Sequence, residues 1–501
     1  MSSAQVSSTP LSSAQVSSAQ VTSEKEAATS STGAARVREK GTGFVLSWKF
    51  LLLVLIGIIM IVPARRYALP IPSAFALEPY RVAVALIVAL IVVAMLTDRG
   101  FRWQRLTFGG LVVFYLVTQV ISIGVNVPGL VDEGLAENAV SSLGSVVLIS
   151  AVFFVVRMLS TSESVIDSVV SFTVVVGAFI GACVALERVT RVNVFILFAN
   201  SLPFLQATSL EESEFIKQGT ARAFGSAQHP IALAVFLCML IPLAIYQSRH
   251  ARWPVQLANR QLFWLGCTLC LGVGMISAVS RTGFVMLGVM TIIFIMMRPS
   301  AISRLLVFGI PALALAFVVS PRNMLSMLRE LTNPSALIES QLTAPGMTGS
   351  GRLADLGPSL QQASVHPIFG TGLGSRITTG RQANAFILDN QLLSTLLESG
   401  ILGVIGVIAM ILVPGIRLLA LARRTNAAER GLSDRQRDLA LATGIGIIGY
   451  FVALFFLDAF LFIQTFLAFF LLLGIGSWAA SQQTRYRAVP ASVQAIPVGA
   501  K

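Results

Sequence analysis

Residues 261–297 read QLFWLGCTLCLGVGMISAVSRTGFVMLGVMTIIFIMM. Two apolar runs, 261–279 and 283–297, flank the turn SRTG, and each is close to the roughly 17–25 residues that cross a bilayer as a helix. The turn is too short for anything but a tight helical hairpin, and it holds Arg281 at the membrane boundary. An ionisable residue at that depth is by default a functional hypothesis, set against the alternative that it snorkels to lipid headgroups.

The rest of the chain repeats this pattern. Of 501 residues, 55% are hydrophobic and 12% charged, about half the charged share of a soluble protein. Ten further apolar stretches centre on 44–63, 80–97, 107–125, 139–156, 165–186, 229–247, 304–320, 396–420, 438–457 and 460–479. The expectation is an all-α polytopic membrane protein of about twelve transmembrane helices. The net charge of +13 is scattered between apolar runs, with no basic stripe interleaved with aromatics, which argues against nucleic acid and for topology and membrane lipid headgroups.

Arginines fix an orientation. The stretch 98–105 carries Arg99, Arg102 and Arg105, 247–260 carries Arg249, Arg252 and Arg260, and 423–437 carries five, whereas 126–138 has no Lys or Arg and three acids. By the positive-inside rule both termini are cytoplasmic, and the long segments 187–228 and 321–389 lie outside. Residues 1–43, rich in Ser, Ala, Gln and Thr, read as a disordered cytoplasmic tail, 44–480 as the membrane domain, and 481–501 as a second cytoplasmic tail.

Several chemistries are missing from the sequence. There is no P-loop, no DxD pair for a metal-bound sugar nucleotide and no GxSxG elbow; the three histidines leave little for a metal centre. Cys267 and Cys270 form a CxxC inside an apolar run, where two small apolar side chains are the plainer reading. An enzyme of this kind needs a lipid-borne, already activated substrate and a metal-free means of stabilising the leaving group. Arginine supplies one, since its planar fork meets phosphate oxygens bidentately and stays charged.

Three outer arginines qualify: Arg222 in TARAFGSAQHP, Arg281, and Arg352 in GRLADLG. Asp389, in AFILDNQLLSTLLESGILG, is either the N-cap of the helix that follows or a general base. His366 reads as a base or as loop packing; Gly370, Gly372 and Gly374 offer N–H groups to an anion or simply make turns. Asn390 and Glu398 line the same helix start, and Glu398 has a cavity-lining reading beside a packing one.

Four segments, ARAFGSAQHPIALAVFLCMLIPLA, SAVSRTGFVML, SGRLADLGPSLQQASVHPIFGTGLG and DNQLLSTLLESGILGVIG, together resemble the O-antigen ligase and O-antigen polymerase superfamily of bacterial membrane glycosyltransferases, over roughly residues 44–480. The resemblance implies a GT-C-like fold in the bacterial inner membrane. It further implies inverting transfer of a glycan from a polyprenyl pyrophosphate of the undecaprenyl type to a glycan or glycolipid acceptor hydroxyl, outside the cytoplasm and without metal or cofactor. It places Arg222 and Arg281 on the pyrophosphate; Arg352, His366, Gly372, Asn390 and Glu398 stand beside them as candidate substrate contacts read from the residues. Where ligase members usually carry a histidine followed by Asn or Ser, this chain has Asp389 and Asn390, so the base becomes Asp389. A transporter or lipid-linked glycan flippase is the rival reading of the same twelve spans.

Overall fold

The computed structural model describes residues 47–70, 77–98, 101–202, 205–207, 216–217, 220–301, 355–378, 384–385, 388–423 and 432–487, with isolated positions 314, 317, 321 and 325. The predicted N-terminal tail, residues 488–501, Arg352 and most of the 321–389 segment therefore lie outside the described residues, whereas 481–487, expected to begin the second tail, continue the last helix.

Helices stand at eleven of the twelve predicted positions: α1 Trp48–Ile61, α2 Pro79–Thr97, α3 Gly109–Asp132, α4 Ala136–Leu159, α5 Glu163–Thr190, α7 Pro230–His250, α8 Leu257–Ser277, α9 Arg281–Met297, α11 Gln391–Arg423, α12 Asp434–Ala453 and α13 Ile463–Arg487. Two short helices, α6 Val194–Asn200 and α10 Leu356–Ala363, lie in the connecting segments. The twelfth position, 304–320, is described only at 314 and 317. Among the described residues eight helices are long and apolar enough to cross a membrane; α1 and α9 are apolar but shorter. The remaining one, α12, opens on Asp434, Arg435, Arg437 and Asp438.

Sequence explains which helices take the centre. Helices α7 and α13 are apolar nearly all round and are buried along most of their length, as an element without a polar face must be. Helix α2, mostly unburied, turns Leu86, Val92, Val93 and Leu96 outward, the face expected to meet lipid. Small residues let backbones touch: a Cβ on Gly181 of α5 would sit 2.3 Å from the carbonyl oxygen of Cys270 in α8, and one on Gly274 would sit 2.5 Å from the Gly181 Cα. All four cysteines are free thiols, and Cys270 serves that contact through its backbone.

Two short antiparallel ladders complete the secondary structure. Strand β1 (Tyr67–Ala68) pairs with β2 (Gln206–Ala207), and β3 (Ile216–Lys217) with β4 (Thr220–Ala221). The first ties the α1–α2 connection to the long segment after α5.

Helix α11 is two helices in line. Gly400 has φ +63° and ψ −167°, a conformation essentially restricted to glycine, and the chain 367–370 fills the notch. Ile401 N–H donates to Pro367 O at 2.9 Å and Leu402 N–H to Ile368 O at 3.2 Å, so carbonyls from the loop satisfy donors that the broken helix leaves open. The break seats the glycine turn against Glu398.

Candidate functional site

Arg222 comes first because the fold works hardest to hold it. Its loop is gripped from three sides. Glu187, in the last turn of α5, accepts the N–H groups of Phe224 at 3.1 Å and Gly225 at 2.9 Å. Ser226 Oγ donates to Met60 O at 2.7 Å, and Gln464 Nε2 of α13 donates to both Met60 O and Ser226 Oγ at 2.9 Å. Ile463 N–H donates to Gln228 Oε1 at 2.8 Å, and the ring of His229, which caps α7, lies against Phe462. The Arg66 guanidinium covers the Phe224 ring at 4.7 Å.

So held, Arg222 is 7% exposed and its Nε donates to Ala278 O at 3.4 Å. Ala278 belongs to the α8–α9 turn whose next residues are Val279, Ser280 and Arg281. Arg222 is thus bonded to the turn that leads into Arg281. Burial draws the Arg222 pKa down to about 10, and among the described residues no carboxylate forms an ion pair with it. A buried charge without a counter-ion is costly, and an anionic ligand would offset that cost. Arg281, half-buried, is the first residue of α9.

The second predicted group gathers at the start of α11. Here the structure separates the two readings of Asp389: the cap is Asn390, whose Oδ1 accepts from Leu392 N–H at 2.9 Å and Leu393 N–H at 3.2 Å. Asp389 is half-buried one residue earlier, and its charge is felt by Asp355 at the head of α10, whose carboxyl is pushed up first by burial and then by Asp389.

About two turns along α11, the Glu398 carboxylate accepts the N–H groups of Gly374 and Arg376 and faces Arg376 and Asp458. Its backbone carbonyl takes Gly372 N–H at 2.8 Å and Ser122 Oγ at 2.9 Å. Gly370 N–H goes to His366 O at 3.0 Å. The N–H groups of Gly370, Gly372 and Gly374 are therefore spent inside the protein, in keeping with the turn reading of the three glycines. Gly372, with φ +103° and Leu130 packed where its side chain would be, shapes the turn. The His366 side chain is exposed, and its carbonyl closes the same turn.

Sequence reading passed over several residues here. Asp458, in the turn between α12 and α13, accepts from Ser394 Oγ at 3.2 Å and lies near Arg376 and Arg65; its pKa is pushed up to about 6, burial being the main cause. Arg376 and Arg65 are both drawn down by burial, and both feel Asp458. The backbone N–H of Arg65 donates to Glu78 Oε2 at 2.6 Å. Only Asp458 left a signal, as a lone acid in the apolar run FFLDAFLF. The 454–464 segment joins the two groups, with Gln464 on the Arg222 loop and Asp458 on α11.

The end of the bundle away from this site carries a different electrostatic pattern. Asp438 binds His250 at 2.8 Å and Arg298 at 2.9 Å, while Asp167 and Glu163 pair with Arg252 and Arg435. Among the described residues no three His, Cys, Asp or Glu side chains cluster as metal ligands would.

Residues 266–408 match the family model described as O-antigen ligase. The matched region takes in Arg281, Asp389 and Glu398; Arg222 and Asp458 fall on either side of it. No curated protein matches the chain.

Proposed function

Starting from the O-antigen ligase match at residues 266–408, which supports the O-antigen ligase and polymerase superfamily, we propose that this chain is a polytopic membrane glycosyltransferase that moves a glycan from a polyprenyl pyrophosphate to an acceptor hydroxyl. The observation that carries the reading is Arg222, buried with no carboxylate paired to it among the described residues and bonded to the turn that leads into Arg281. Two arginine forks at one turn fit a pyrophosphate.

In the reaction the acceptor oxygen attacks the anomeric carbon from the face opposite the phosphate. The new C–O bond forms as the old one breaks, the bonding electron pair stays on the leaving phosphate oxygen, and configuration inverts. Arg222 and Arg281 stabilise that charge as it grows, where fixed donors contribute most to rate. Asp389, relieved of capping by Asn390, takes the acceptor proton. Arg376, Glu398 and Asp458 line the acceptor side, with Arg352 an additional phosphate or sugar contact. The step needs no metal, because the arginines carry the role of a Lewis acid.

The site end is assigned to the extracytoplasmic face of a bacterial inner membrane, with both termini inside and twelve GT-C-like spans. Support comes from the opposite end, where Arg249, Arg252, Arg298 and Arg435 gather as the positive-inside rule expects. The test is transfer in reconstituted membranes: Arg281→Ala and Asp389→Asn each abolish turnover while the protein still inserts and folds. Near-normal turnover of Asp389→Asn would remove the base assignment. Loss of the protein in cells then separates two acceptors: single repeat units mark a missing polymerase, long chains left on the carrier lipid a missing ligase.

A further inference from the structure

The start of α9 has donors that its own helix does not use. First-turn N–H groups lack intrahelical partners and carry the positive end of the helix dipole. An N-cap serine usually accepts from one of them. Ser280 occupies that position, but its side chain makes no capping bond. Its Oγ is buried, with the residue 3% exposed, and has no hydrogen-bond partner among the described residues. A buried hydroxyl left this way costs about 1–3 kcal/mol. The residue before it, Val279, has φ +53°, a left-handed conformation in which a β-branched side chain is strained. Such strain persists only where the surroundings impose it, and it clusters at ligand clamps. Two residues before Ser280, the turn's carbonyl holds the Arg222 Nε.

The geometry points to a phosphate subsite at this helix start, in which Ser280 Oγ and the first-turn N–H groups of α9 join Arg222 and bind the pyrophosphate leaving group directly, so that inorganic pyrophosphate binds there without glycan or polyprenyl chain. The inference rests on the glycosyl-transfer reading and adds the residue that completes the anion's coordination. Helix N-termini favour phosphate because N–H groups and dipole act together, and Ser280 donates one further hydrogen bond to the oxygen that receives the electron pair when the anomeric C–O bond breaks. The acceptor proton still goes to Asp389. Because the subsite holds the product as well as the departing group, pyrophosphate competes with the lipid-linked donor.

Titration calorimetry of the full-length protein in detergent, with inorganic pyrophosphate as the probe, tests this. The wild type binds; Arg222→Ala abolishes binding; Ser280→Ala weakens it roughly ten- to a hundredfold, the span of a hydrogen bond to a charged group. Ser280→Thr, which keeps the hydroxyl, stays within a few-fold of wild type. A thermal midpoint at or above that of the wild type shows that Ser280→Ala is folded, since the variant loses an unpartnered buried hydroxyl. If Ser280→Ala binds pyrophosphate as tightly as wild type while Arg222→Ala does not, Ser280 is not part of the subsite and the transfer reading is untouched. If the wild type does not bind pyrophosphate, the subsite is overturned. If the wild type transfers no glycan from a polyprenyl pyrophosphate donor, the transfer reading itself fails, whatever binds at the subsite.

Discussion

Replacing Gly400 by alanine strikes the point where helix α11 breaks to admit the glycine turn. The cost has two parts. At φ +63° and ψ −167° a residue with a Cβ is strained by about 1–3 kcal/mol. The added Cβ would also lie 2.2 Å from Ile368 O and 2.3 Å from Ile368 C, which are backbone atoms and cannot rotate away. Relief requires lifting 367–369 off the helix. That breaks the bonds from Ile401 to Pro367 O, Leu402 to Ile368 O and Ser122 Oγ to Phe369 O, at roughly 0.5–1.5 kcal/mol each. The sum is about 3–7 kcal/mol. A thermal-shift measurement on purified protein in detergent should therefore show a clear fall in midpoint. Glycan transfer should fall with it, since the same turn places Gly374 and Arg376 on Glu398. Gly288→Ala in α9, where nothing lies within 4 Å of the new Cβ, is the control and should be neutral or slightly stabilising. Equal midpoints for the two variants would refute the claim that the break in α11 is enforced by the loop.

Two shorter predictions follow from the charges. The fold raises the Asp458 pKa from 3.8 to about 6, so its acid form is the one the fold favours. The stability linked to that proton is complete below about pH 4 and is lost as pH rises through about 6. Asp458→Asn should accordingly raise the thermal midpoint at pH 7 and flatten its decline between about pH 4 and 6; an unchanged pH profile would contradict the burial argument. A cysteine at exposed Gln361 should react with a membrane-impermeant thiol reagent in intact cells, and one at exposed Asn259 should not; the reverse pattern would invert the orientation.

The helices were legible because membrane spans announce themselves by length and apolarity, and eleven of twelve positions carry a helix. The bond from Arg222 to the turn before Arg281 was legible only as a shared chemistry, since it depends on the Glu187, Ser226 and Gln464 bonds that fold a loop between spans. Asn390 rather than Asp389 caps α11, a one-residue distinction that adjacent capping residues hide from sequence. Arg376 and Arg65 acquire meaning from partners 82 and 393 positions away in Asp458. No local pattern reports such pairings.

The proposed reaction separates a glycan from its pyrophosphate carrier. Purified protein in proteoliposomes, given a polyprenyl pyrophosphate-linked glycan and an acceptor, measures it directly. Glycosylated acceptor and free polyprenyl pyrophosphate should appear in equal amounts, and Arg222→Ala should stop both. Donor that crosses the bilayer with its glycan still attached, and no cleaved carrier, would contradict it and favour a flippase.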